Sequence, residues 1–171
     1  MIVVADTSPI NYLIRIAEIN VLPTLYGRIL VPTSVFHELT DPRAPIPVRQ
    51  WALAPPDWLE TRAPSLAPDA ALLAADLDPG ERDAILLAQE LEADELLIDD
   101  MRGRREAERR HLHFIGTIAI LQAAARQGLL DLRDAFDRLR RTNFHIAQEI
   151  LDRLLTEHEN MTQENGADGT I

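Results

Sequence analysis

The sequence predicts an α/β fold built on a parallel sheet, and three observations carry that prediction. Short, largely apolar runs at residues 2–5 (IVVA), 28–31 (RILV) and 95–98 (ELLI) have the length and composition of strands buried on both faces. Between them lie stretches whose apolar residues recur at helical spacing. Acidic residues stand where two of the runs end, Asp6 after the first and the pair Asp99 and Asp100 after the third. In open parallel sheets, ligands bind where strands release the chain at their carboxyl ends.

Taken in order, Asp6 is followed by Thr7 and Ser8, which can cap a helix whose first position is Pro9. Ile10, Leu13, Ile14 and Ala17 give that helix an apolar face. Residues 19–26 read as a short helix ended by Gly27, and residues 32–40 (PTSVFHELT) as a helix capped by Thr33 or Ser34, with Glu38 inside its second turn. Seven prolines then interrupt residues 41–68, where residues 48–53 read as one helix and residues 58–62 as an edge strand. The helix predicted from Pro79 to Leu91 carries Glu81 and Asp83 in its first turn, where the helix dipole favours acidic groups. An arginine-rich helix follows Asp100, then a strand at residues 113–115 and helices at 118–127, 129–141 and 146–156. The expected organisation is one domain over residues 1–155 and an acidic tail without regular structure over 156–171.

Composition narrows the chemistry. The 171 residues carry a net charge of -11, contain no cysteine, and all 17 basic residues are arginine. Disulfides and thiolate catalysis are thereby excluded, as are the lysine of a Walker loop and Schiff-base chemistry. The opening MIVVAD lacks the basic segment of a signal peptide and is too short to span a membrane, so a cytoplasmic location is expected. The five histidines show no metal-ligand spacing and are expected to be structural. Among the cations, Arg102, Arg104, Arg105, Arg109 and Arg110 cluster, and either contact phosphate or pair with Glu106 and Glu108.

Asp6, Glu38, Glu81 or Asp83, and Asp99 with Asp100 come from separate parts of the chain. If the strands are parallel neighbours, they meet at one edge of one sheet. Several carboxylates without lysine or nearby histidine suit hard divalent cations, Mg²⁺ or Mn²⁺. Such ions lower the pKa of a bound water and offset charge on phosphate, which points to metal-assisted phosphodiester hydrolysis.

Five segments also carry a family resemblance: VVADTSP, VFHEL, LDPGERDAILLAQE, ADELLIDD with its following GR (Gly103 and Arg104), and FIGTIAIL. Together, in that order, they resemble a PIN domain, most nearly the VapC-like subfamily with G-E-x-x-A-I followed by L-L-x-D-D. RLRRTNFHIAQEILDRLL is similar to that subfamily's closing helices. The resemblance implies a three-layer α/β/α sandwich with a central parallel sheet of four to five strands and a Mg²⁺- or Mn²⁺-dependent ribonuclease site. It implies Asp6, Glu38, Asp99 and Asp100 as metal-holding catalytic residues, with Glu81 or Asp83 as the further acidic position. Thr7, Ser8 and Thr117 match polar helper positions, and Arg102, Arg104 and Arg105 are expected to contact RNA phosphate. The partners implied are RNA, a small antitoxin protein and a second copy of the chain, with no membrane. A non-catalytic module that binds RNA or protein is the competing expectation.

Overall fold

Val3–Ala5, Ile29–Val31 and Glu95–Leu97 are strands because β-branched and leucine side chains fit a pleated surface buried from both sides. The computed structural model describes residues 1–167, with side chains through residue 163. In chain order the elements are β1 (Val3–Ala5), α1 (Thr7–Arg15), α2 (Val21–Tyr26), β2 (Ile29–Val31), α3 (Thr33–Thr40), α4 (Ile46–Ala52), β3 (Leu59–Thr61) and α5 (Ala70–Ala74). Then come α6 (Pro79–Glu90), β4 (Glu95–Leu97), α7 (Met101–Arg109), β5 (Phe114–Ile115), α8 (Thr117–Arg126), α9 (Leu132–Arg140) and α10 (Gln148–Ala167).

The five strands form one all-parallel sheet of order β3-β2-β1-β4-β5, flanked by helices as in an α/β/α sandwich. β1 is central, with Val4 opposite Leu30 on one side and Ala5 opposite Leu97 on the other. The chain builds outward from β1 to β3, then returns to β1's free side to place β4. That reversal opens a crevice at the carboxyl ends of β1 and β4, the usual position for a ligand in such sheets. Val4, Leu30, Leu96 and Ile98 of the sheet region pack with Leu72, Ile85 and Leu87 in the buried core. Each such side chain contributes about 1.5–3 kcal/mol by leaving water.

Residues 1–120 form one compact unit and a second begins at Leu121, so the boundary falls within α8. In the second unit, Leu132, Phe136 and Leu139 of α9 and Leu151 and Leu155 of α10 are buried. Among the described residues, no helix is long and apolar enough to cross a membrane.

Several local expectations need correction. The first helix starts at Thr7 rather than Pro9, and no side-chain hydrogen bond caps it, because the Thr7 hydroxyl donates to Glu38 instead. α3 likewise starts after Pro32 without a side-chain cap. α5 lies where no helix was expected, held by Asp69, whose carboxylate accepts from the Leu72 amide at 2.8 Å. The stretch expected to be an unstructured tail continues α10 as far as Ala167, and residues 168–171 lie outside the described residues. Leu155 is buried just before that stretch, Arg153 pairs with Glu157 one turn on, and Arg133 of α9 pairs with Glu159, which together outweigh the weak apolar periodicity.

Candidate metal centre

β1 ends by delivering Asp6 into the crevice. Its amide donates to the Leu97 carbonyl at 2.9 Å, which extends the β1–β4 ladder by one step and fixes where the carboxylate begins. Asp6 is 2% exposed, and its Oδ1 is buried with no hydrogen-bond partner. Burial pushes this carboxyl well above its ordinary value. The Thr7 amide opposes that shift, and the charges of Asp78, Glu81 and Glu38 add to it.

Glu38 arrives from α3, which follows the neighbouring strand β2. One carboxylate oxygen accepts from the Thr7 hydroxyl, the other from the Gly80 amide at 3.0 Å. Gly80 opens α6, and a Cβ built on it would lie 2.6 Å from Glu38 Oε1, so the absence of a side chain there admits the carboxylate. Burial raises the Glu38 value, the Thr7 hydroxyl offsets part of the rise, and Asp78 adds to it.

Asp78 is the N-cap of α6. It accepts from the Glu81 amide at 2.8 Å while Glu81 Oε2 accepts from the Asp78 amide at 3.2 Å, a reciprocal capping box. This cap carries Asp78 to the other two carboxylates. One oxygen from each of Asp6, Glu38 and Asp78 lies within 4.8 Å of the others. A buried carboxylate oxygen without a donor, beside two further carboxylates, is an uncompensated concentration of negative charge. Three hard oxygen donors at this spacing fit a small divalent cation, and an unpartnered Asp6 Oδ1 is the atom such an ion would satisfy.

The other expected residues lie around this group. Glu81 is 5% exposed and spends its carboxylate on the capping box; burial, then Asp78 and Asp100, push it up to about 7. Asp83 pairs with Arg82 at 3.2 Å and is outside the three-carboxylate group. Asp99 stands two residues past Leu97 and is held by Thr117, whose amide donates to Oδ1 at 2.8 Å and whose hydroxyl donates to Oδ2 at 2.7 Å. Burial raises the Asp99 value against those bonds and the Arg104 charge. Asp100 caps α7, accepting from the amides of Arg102 and Gly103. Ser8 is half-buried on the first turn of α1, and Arg105 is exposed on α7. No histidine belongs to a metal-holding group among the described residues.

A sequence-family model for the PIN domain matches residues 2–160. The chain belongs to the PIN domain family. No curated protein matches it. The PIN fold is of nuclease type, and in this PIN domain the acidic group, with Asp6 buried, Glu38 half-buried and Asp78 exposed, fits a metal site. Asp78 was missing from the expected ligands, although its signal was present: an aspartate three residues before Glu81, with Pro79 between them, has the spacing of a capping box.

Proposed function

We propose that this PIN domain is a divalent-metal-dependent ribonuclease of the VapC-like kind, hydrolysing RNA phosphodiester bonds as the toxin of a toxin–antitoxin pair. The observation that supports it most is the buried, unpartnered Asp6 Oδ1 grouped with Glu38 and Asp78. Asp6, Glu38 and Asp78 would hold Mg²⁺ or Mn²⁺, with Glu81 supporting Asp78 through the capping box. The ion supplies positive charge that lowers the pKa of a nearby water and offsets charge on the phosphate.

The chain's own residues do the positioning. Thr7 and the Gly80 amide fix Glu38, and Thr117 fixes Asp99 through two bonds. On α7, exposed Arg102 and Arg105 offer planar donors for RNA phosphate in an otherwise acidic protein. A small antitoxin bearing arginine would complement the same acidic crevice, and a second copy of the chain completes the reading as a homodimer.

Cleavage of a labelled RNA in Mg²⁺ or Mn²⁺, abolished both by EDTA and by Asp6→Asn, is the expected result. Cleavage that survives chelation would overturn the proposal. One observation favours the alternative of a non-catalytic binding module: Asp100 is occupied as a helix cap and approached by Arg102 at 3.6 Å. Calorimetry showing no Mn²⁺ uptake by the wild type would select that alternative.

A further inference from the structure

Asp99 already has a cation beside it. The Arg104 Nε donates to the Ile98 carbonyl at 3.0 Å, its guanidinium stands 6.0 Å from the Phe114 ring centroid, and Nη2 lies 3.8 Å from Asp99 Oδ1. These contacts come from two segments of the chain, the turn after β4 (Ile98 and Asp99) and β5 (Phe114), so the guanidinium is anchored rather than free to sweep the surface.

The space it occupies is shaped for it. A Cβ built on Gly116 would lie 1.8 Å from Arg104 Nη2 and 2.6 Å from Asp99 Oδ1. Only glycine at this turn lets the guanidinium and the carboxylate share the end of β4. Thr117, the next residue, meanwhile donates to both Asp99 oxygens. Asp99 is thus supplied with donors and a positive charge from within the chain, whereas Asp6 Oδ1 has none.

Two-ion nuclease sites place their cations about 3.5–4 Å apart, between carboxylates that would otherwise repel. We propose that Arg104 is the resident cation of Asp99 and takes the place of a second metal ion, so that the centre binds one divalent ion, at Asp6, Glu38 and Asp78. This rests on the metal-centre reading above and specifies its stoichiometry. A guanidinium stays protonated at any working pH, so the positive charge beside Asp99 is permanent while the ion at Asp6 exchanges. Arg104, expected from the sequence to contact RNA, is here a positioning residue acting through Asp99.

Calorimetric titration of the full chain with MnCl₂ tests the proposal. The wild type should take up about one ion per chain, and Arg104→Met, which keeps side-chain length and removes the charge, about two. The second ion should disappear again in Arg104→Met/Asp99→Asn, and Arg104→Lys should stay at the wild-type value. Thermal melting checks that each variant folds, and Arg104→Lys keeps the test decisive if Arg104→Met does not. Two ions in the wild type, an unchanged stoichiometry in folded Arg104→Met, or a second ion in Arg104→Lys would overturn the role of Arg104 while leaving the metal centre intact. No uptake by the wild type would overturn the centre itself.

Discussion

The carboxylate of Glu38 lies over the backbone of Gly80, accepting from its amide at 3.0 Å in a space that a methyl group would fill. Two helices from separate parts of the chain, α3 and α6, are thereby locked at the point where the acidic group forms.

Gly80→Ala tests that lock. In a helix interior alanine is normally favoured over glycine by about 1 kcal/mol. Here the added methyl must displace Glu38, so no gain in melting temperature is expected, and Mn²⁺ affinity should fall by about 10–100-fold, the usual scale for disturbing a ligand's support. Calorimetry on the purified variant provides the check.

Asp6→Asn should separate stability from function. Removing a buried charge with an unpartnered oxygen relieves repulsion from Glu38, Asp78 and Glu81. The metal-free variant is expected to melt about 2–6 °C above the metal-free wild type, and to lose the further rise that Mn²⁺ gives the wild type. A lower melting temperature would mean that Asp6 is structurally compensated.

The metal-free protein should weaken as pH rises. Glu81 has an ordinary value of 4.5 and is pushed to about 7 in the fold, so the folded chain binds this proton more tightly than the unfolded chain. Its stabilising effect is complete below the unfolded value and is lost as pH climbs through about 7. Asp6, also raised, acts in the same direction. Melting curves in EDTA across this window should show the decline, and Glu81→Gln, which can still complete the capping box, should flatten it.

Gly116 and Arg104 should be energetically coupled. Gly116→Ala forces the guanidinium aside and is expected to cost about 1–3 kcal/mol, as overpacking does. In an Arg104→Ala background the share of that loss due to the guanidinium should vanish, leaving the part due to Asp99 Oδ1. A double-mutant cycle by denaturant unfolding measures the coupling.

Much of this was legible in the sequence because the strands announce themselves. IVVA and ELLI are short apolar runs closed by aspartate, and they became β1 and β4 with Asp6 and Asp99 at one rim. Strand order was not legible, since nothing in residues 2–5 says that they pair with residues 95–97 as well as with 29–31. The acidic residues of the α6 turn show a second limit. Glu81 and Asp83 stand out as charges, but the cap geometry turns Glu81 toward the helix start and brings Asp78 to the crevice, a choice made by backbone hydrogen bonds rather than by spacing. The extended α10 illustrates a third, because ion pairs such as Arg133–Glu159 depend on a partner helix that no local window contains.

The central position of β1 has a consequence for how the protein is made. Its two ladder partners lie on opposite sides, and Ile2 reaches Asp94 across 92 residues of chain. A nascent polypeptide can lay β1 beside β2 early, but the other edge stays open until translation has passed Leu97, and such distant pairings are slow to close. A ribosome stalled before that point would therefore carry a half-finished sheet in which Asp6 has no neighbouring β4.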